Sequence, residues 1–318
     1  MASQGNMPFI RNLASSDRKI RTSALASLHT FLSAKHISSA LGPLDVLKLW
    51  KGLFFALWMC DRAIPQQTLC AELADLIFIL PREAVVPWLR AFWATMSREW
   101  TGIDVLRMEK FLLLARRVVG AGFKWMKMPA ATAISSKKSS KKNTAAAAAG
   151  GGAGAGAGAG AQEEKKKNES AWDAQRVDEI VKLLGEYPFA LEEATMEADR
   201  QNLEGEQDPC APHTIPVGLK IHVLDIWVDE AEKVGLLDAE DQEAAEILQR
   251  ISTLVDLLEQ RSYSPAVKIR SKESLADDRL PGNKKASEAA KPETADVNMD
   301  DDDDDIQSDV GSWDGFND

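Results

Sequence analysis

Histidines, cysteines and closely spaced carboxylates are the raw material of catalytic and metal sites, and this sequence sets few of them at a useful spacing. The four histidines, His29, His36, His213 and His222, form neither H-x-x-x-H nor H-E-x-x-H, so no histidine-based metal site is expected. His222 stands between apolar positions of a helical pattern, where a hydrogen-bonded structural histidine is expected rather than a general base. Cys60, Cys70 and Cys210 are odd in number and contain no C-x-x-C pair, which argues against a disulfide scaffold or a cysteine zinc site and fits a reducing compartment. Asp225 and Asp229, four residues apart and followed by Glu230, share one helix face and have the elements for acid–base work or for holding a divalent cation. A metal-dependent nuclease or hydrolase using these three is the rival to a face that simply meets solvent or a partner. No G-x-S-x-G, Walker or kinase signature occurs. The expectation is therefore a chain with no catalytic residue, cofactor, metal or small-molecule substrate.

Binding chemistry is better represented. The chain has 318 residues and a formal net charge of −11, but the charge is divided unevenly. Residues 1–129 carry 17 basic and 9 acidic groups, whereas residues 171–270 carry 9 basic and 22 acidic ones. A basic front half suits phosphate or an acidic partner, and an acidic back half repels nucleic acid. Arg90, Arg98, Arg107, Lys110, Arg116 and Arg117 are the candidates for a positive ridge that meets RNA phosphate or an acidic protein. Six of the nine tryptophans also fall in the first 129 residues. Trp50 with Phe54, and Trp88 with Phe92, share helix faces and read as core, while Trp100 sits at a helix end and is a candidate partner contact.

These residues must be positioned by helices, because apolar spacing is helical throughout and no stretch alternates with period two for long. Ser15, Ser16 and Asp17 offer caps for a helix with Ile20, Ala24, Leu28, Phe31 and Leu32 on one face; Pro43 opens the next, and Pro65 a third that Pro81 ends. A fourth carries Trp88, Phe92 and Trp93, and Asp104 caps a fifth that Gly120 and Gly122 weaken at its end. Further on, Asp173 caps a helix, Pro216 opens one closed by Gly235, and a last one runs from Ala244 to Leu258. The expected class is all-α: a HEAT-like stack of helix pairs or an irregular helical bundle. The longest strongly apolar run, Gly52 to Cys60, is nine residues, against roughly 20 for a membrane span.

Residues 145–161 are Ala or Gly without exception and read as part of a flexible linker over 130–170; their G-x-G follows no strand and is not a phosphate loop. The domains expected are therefore 1–129, basic and Trp-rich; the linker 130–170; 171–261, acidic and helical, packing on the first; and a disordered acidic tail over 262–318. Lys137, Lys138, Lys141 and Lys142 resemble a nuclear localisation signal.

Three blocks are familiar. Leu49-Trp50-Lys51-Gly52-Leu53-Phe54 through Asp61, Phe92-Trp93-Ala94-Thr95-Met96-Ser97-Arg98-Glu99-Trp100-Thr101-Gly102-Ile103-Asp104 through Arg117, and Ile215-Pro216-Val217-Gly218-Leu219-Lys220-Ile221-His222 through Glu230 resemble the ribosomal RNA-processing protein 1, or nucleolar protein 52, family. The resemblance covers roughly 7–127 and 172–260. It implies a nucleolar, non-enzymatic assembly factor of large-subunit pre-ribosomes, needed for pre-rRNA processing and held among pre-rRNA and other assembly factors. The Ala/Gly insert and the lysine-poor acidic tail depart from the basic tails of many members. A helical adaptor outside ribosome assembly is the other alternative.

Overall fold

The computed structural model describes residues 9–34, 41–127, 171–204, 208–211, 214–281 and 283. These form the helices α1 (Phe9–Leu13), α2 (Arg18–Ser33), α3 (Pro43–Trp58), α4 (Ala63–Asp75), α5 (Arg82–Glu99), α6 (Val105–Trp125), α7 (Ala174–Glu186), α8 (Glu192–Glu204), α9 (Val217–Lys233), α10 (Gln242–Arg261) and α11 (Pro265–Leu275). Among the described residues there is no strand, only an isolated bridge between Lys127 and Trp172. No helix among them is long and apolar enough to cross a membrane. The lysines at 137, 138, 141 and 142 lie outside the described residues.

The caps read from the sequence at Asp104 and Asp173 operate as such, Asp17 is the one used of the three residues offered before α2, and Asp241, not singled out in the sequence, caps α10. Asp17, Asp104, Asp173 and Asp241 each accept a backbone N–H from the first turn of the helix they precede, which satisfies donors that a helix start otherwise leaves unpaired. Pro43 occupies the first position of α3, where its missing N–H costs nothing, and Gly235 takes φ +81° to end the turn after α9.

The helices make an irregular stack in which elements two apart in sequence lie side by side: α3 against α5, and α4 against α6. α5 then meets α7, α6 meets α9, and α9 meets α11, with α10 packed on α11 and α7. Helix α6 is thus covered by the first half on one side and by the second half on the other. Buried apolar side chains form one cluster running from Leu13 to Leu280, so the two halves share a single core. Its aromatic centre joins α3, α5 and α6. Trp50 lies 5.1 Å from Trp88 and 4.9 Å from Phe92, Phe54 stacks on Phe111 at 4.4 Å, and the Trp50 indole donates to the carbonyl of Trp88 at 2.9 Å.

Three expectations are corrected, and α8 is a helix that the apolar spacing did not single out. Ordered helix continues past residue 262 in α11, whose buried face is Val267, Ser271 and Ser274; two of the three positions are polar, so no apolar stripe announced it. Ser274 accepts from the Trp227 indole at 2.6 Å and donates to the Leu224 carbonyl at 2.8 Å, which makes a buried hydroxyl affordable there. Helix α8 carries no apolar stripe either and is anchored by its first turn. There Glu192 accepts from Lys220, Ser262 and the Tyr263 amide, and Glu193 accepts from Arg261 and the Tyr263 hydroxyl. Ile20 is exposed rather than part of the buried face of α2. The third helix begins at Ala63, ahead of Pro65, and ends in a 3-10 turn over Leu76–Phe78 before Pro81.

Trp50 and Trp93 are both buried against several aromatic or apolar neighbours. Replacing either by Ala is expected to lower unfolding free energy by about 3–5 kcal/mol, as a large core deletion that leaves a cavity. Denaturant unfolding of the single variants checks this; losses near zero would place these rings outside the core.

Candidate interaction surface

The ridge of cations expected on the first half does not form one outward face. Arg116 on α6 reaches across to α9, its Nε 2.7 Å from Oε1 of Glu230 and its Nη2 2.7 Å from Oδ2 of Asp229. Arg90 meets Asp208 at 3.0 Å and Glu186 at 3.6 Å, and Arg98, though exposed, donates to the carbonyl of Pro209 at 2.6 Å. Lys110 turns inward: its side chain is 3% exposed and its ammonium donates to the carbonyls of Trp58 and Cys60 at 2.7 and 2.9 Å. Burial lowers its pKa from the ordinary lysine value. Arg107 pairs with Asp104 and lies over the Trp58 ring at 4.9 Å. Arg117, one residue beyond Arg116, points to solvent.

Trp100 is only 9% exposed, and Gly218 in the first turn of α9 lies against its indole. A Cβ at 218 would stand 3.2 Å from Trp100 Nε1, so a small residue there lets α9 approach. The ring belongs to the seam between the halves.

That seam takes up part of the second half's acidity. Arg82, which the sequence did not single out, holds Asp173 through two hydrogen bonds of 2.9 and 3.3 Å and keeps that carboxyl below its usual range. Arg176 donates to the carbonyls of Trp125 and Lys127 and covers the Trp125 ring. His222 has Nε2 2.8 Å from the carbonyl of Leu112, and burial lowers its pKa from 6.5, consistent with a neutral, structural imidazole. Gly120 has a specific reason to be glycine inside α6. A Cβ there would stand 2.5 Å from Glu230 Oε2, so its absence makes room for the carboxylate that Arg116 grips.

The carboxylates considered for metal-assisted hydrolysis are each bound to cations of the protein. Asp225 pairs with Arg270 at 3.2 Å, Asp229 lies between Arg116 and Arg279, and Glu230 between Arg116 and Lys233. For Asp229, burial works to raise the pKa, but the hydrogen bonds from Arg279 and Arg116 outweigh it and hold the group below the usual aspartate value. Among the described residues no group of three or more His, Cys, Asp or Glu is arranged to hold a metal ion.

Arg116→Ala is expected to destabilise the intact protein by about 3 kcal/mol, since it leaves Glu230, 7% exposed, charged with Lys233 as its remaining partner. Gly120→Ala should also destabilise, by roughly 1–3 kcal/mol of overpacking, although Gly→Ala inside a helix ordinarily gains up to about 1 kcal/mol. Chemical denaturation of the two variants beside Arg117→Ala checks the assignment: equal stability of all three would remove the clasp.

The chain matches the family model described as "Nucleolar protein, Nop52" over residues 4–144 and 165–312, which takes in both halves joined by this seam. Similar curated proteins include "Ribosomal RNA processing protein 1 homolog A" of Mus musculus, 38% identical over 120 residues, which are 37% of this chain and 24% of that protein. The Homo sapiens protein of the same name is 38% identical over 121 residues, 37% of this chain and 26% of that one. "Ribosomal RNA processing protein 1 homolog" of Caenorhabditis elegans is 34% identical over 126 residues, 37% of this chain and 32% of the other. The matched stretch thus spans about a third or less of each relative's length. With the family model running through both helical halves, the chain belongs to the Nop52 family of nucleolar proteins.

Proposed function

We propose that the protein is a non-catalytic helical scaffold of large-subunit ribosomal precursors, required for pre-rRNA processing in the nucleolus. The observation that carries this reading is the match of one nucleolar family model to both halves of the shared core, beside relatives whose printed names assign them to ribosomal RNA processing. The engagement of Asp225, Asp229 and Glu230 by arginines and Lys233 supports the non-catalytic part, because guanidinium groups stand where a hydrolytic cation would have to bind. In this reading the first half docks on pre-rRNA and neighbouring assembly factors, and the acidic half serves basic protein partners. Lys137, Lys138, Lys141 and Lys142 act in nuclear entry.

Affinity purification of the tagged full chain tests the central claim: precursor RNA of the large subunit, with its assembly factors, is expected to co-purify. Enrichment of other complexes with no such RNA would favour an adaptor outside ribosome assembly. Turnover of RNA by the purified chain in Mg²⁺ or Mn²⁺ would favour the nuclease instead.

The exposed Arg117 remains a phosphate contact in this reading, with Arg107 and with Arg98 beside the seam, whereas Arg116 serves the clasp. RNA affinity should fall with salt and depend little on sequence. Arg117→Ala should flatten the logarithmic salt dependence by about 0.7–0.9 for one lost contact, and Arg116→Ala should leave that slope alone. The reverse pattern would exchange the two roles.

A further inference from the structure

Helix α1 packs closely on α3 because Gly52 has no side chain there: a Cβ at 52 would stand 3.1 Å from Leu13 Cδ1 and 3.6 Å from Ile10 Cγ2. Leu13 is buried by that approach. Ile10 and Ala14 stay half-buried and, with the half-buried Leu47 and Phe55 of α3, border an open pocket of about 380 Å³. Cations stand on both walls, Arg11 on α1 and Lys48 and Lys51 on α3, and all three are exposed. Positions 47, 48, 51, 52 and 55 share one face of α3, and the eight steps from Leu47 to Phe55 span about 12 Å.

Two carboxylates among the described residues meet these cations. Glu99 lies 2.6 Å from Lys51, whose ammonium also stands 5.9 Å from the centre of the Phe55 ring. Asp45 is 3.9 Å from Lys48, and both side chains are about half exposed, so water screens that pair. Arg11 makes no ion pair among the described residues. The rim therefore keeps a positive excess above an apolar floor, and that combination selects among ligands. RNA would satisfy the cations, but the floor presents no polar side chain to a base edge, which readout of unstacked bases requires. A small amphiphile would find no buried polar group to fix its orientation. A peptide that carries an apolar side chain between carboxylates satisfies floor and rim together.

We propose that the pocket between α1 and α3 docks an acidic segment of a partner protein, whose single bulky aliphatic side chain enters the pocket while Asp or Glu residues on either side of it meet Arg11 and Lys48. Lys51 contributes less, because Glu99 already holds it. The 12 Å floor takes about four extended residues at roughly 3.3 Å each, so one anchor and its flanks make up the whole motif. The anchor supplies most of the affinity, and the charges set orientation and the rate of encounter. The site shares no residue with the phosphate contacts assigned to Arg98, Arg107 and Arg117. It gives the protein-docking side of the scaffold a definite place, and it rests on the scaffold reading only for the natural source of the segment.

The probe is a fluorescein-labelled peptide of about ten residues with one central Leu between runs of Asp and Glu, titrated against the full chain by fluorescence anisotropy. Replacing that Leu by Ser is expected to weaken binding about tenfold, the effect of losing an aliphatic anchor. Arg11→Gln/Lys48→Gln should weaken it by a similar factor at unchanged melting temperature, since both side chains are exposed. Ala14→Phe, which fills the pocket, should block binding; if that variant unfolds, the peptide change and the charge variant still decide. No binding of the Leu peptide overturns the proposal. Equal affinity for the Leu and Ser peptides overturns it in favour of diffuse charge attraction. Oligouridine affinity that falls in the Arg11→Gln/Lys48→Gln variant, with peptide affinity unchanged, assigns the rim to RNA instead. No precursor RNA enters this measurement, so its failure leaves the scaffold reading standing, and a purified complex without precursor RNA leaves the pocket standing.

Discussion

Helix α6 is buried on two sides, by α4 and by α9, and the rest of the structure follows from that constraint. A helix so placed has little solvent to offer its charged side chains, and a buried charge is tolerated only when it is paired and hydrogen-bonded. Lys110 answers by donating to two carbonyls of the α3–α4 connection. Arg116 answers with two carboxylates of α9, for which Gly120 clears the space. These solutions fix the distance and rotation of α9 on α6, and through α9 the position of α11.

The same constraint changes the meaning of the charge asymmetry. A basic first half and an acidic second half suggest separate partners, but they are also complementary to one another. Arg82, Arg90 and Arg116 spend their charge on Asp173, Glu186, Asp208, Asp229 and Glu230. Several cations of the basic half are therefore internal cement, and long-range attraction between the halves favours their meeting during folding. Helix rotation decides the rest: adjacent residues lie about 100° apart on a helix, which is why Arg116 is in the seam and Arg117 is not.

The outer helices obey a looser rule. α2 leans on α1, and between it and α4 lies a groove where Met59 and Ile64 are exposed and Arg18, Arg21, Asp61 and Arg62 stand together. Between α3 and α5 the aromatic rings of Trp50, Trp88 and Phe92 fill the space.

The all-helical class, the caps at Asp104 and Asp173, the turn at Gly235 and the core roles of Trp50, Trp88 and Trp93 were legible in the residues, because each rests on local spacing and local hydrogen bonding. The three resembling blocks also carried the family. Helices α8 and α11 were not legible, since α8 is held by Glu192 and Glu193 and α11 buries serines, and neither leaves a hydrophobic period in the letters. The candidate surface was only partly legible: composition showed that cations were abundant, but whether an arginine meets solvent, a carbonyl or a distant carboxylate depends on which helices pack together. Glu230 lies 114 positions from Arg116, and no local rule links them. Tertiary packing alone brought that pair together, because pairing at such a separation is set by the shared core and not by the chain near either residue.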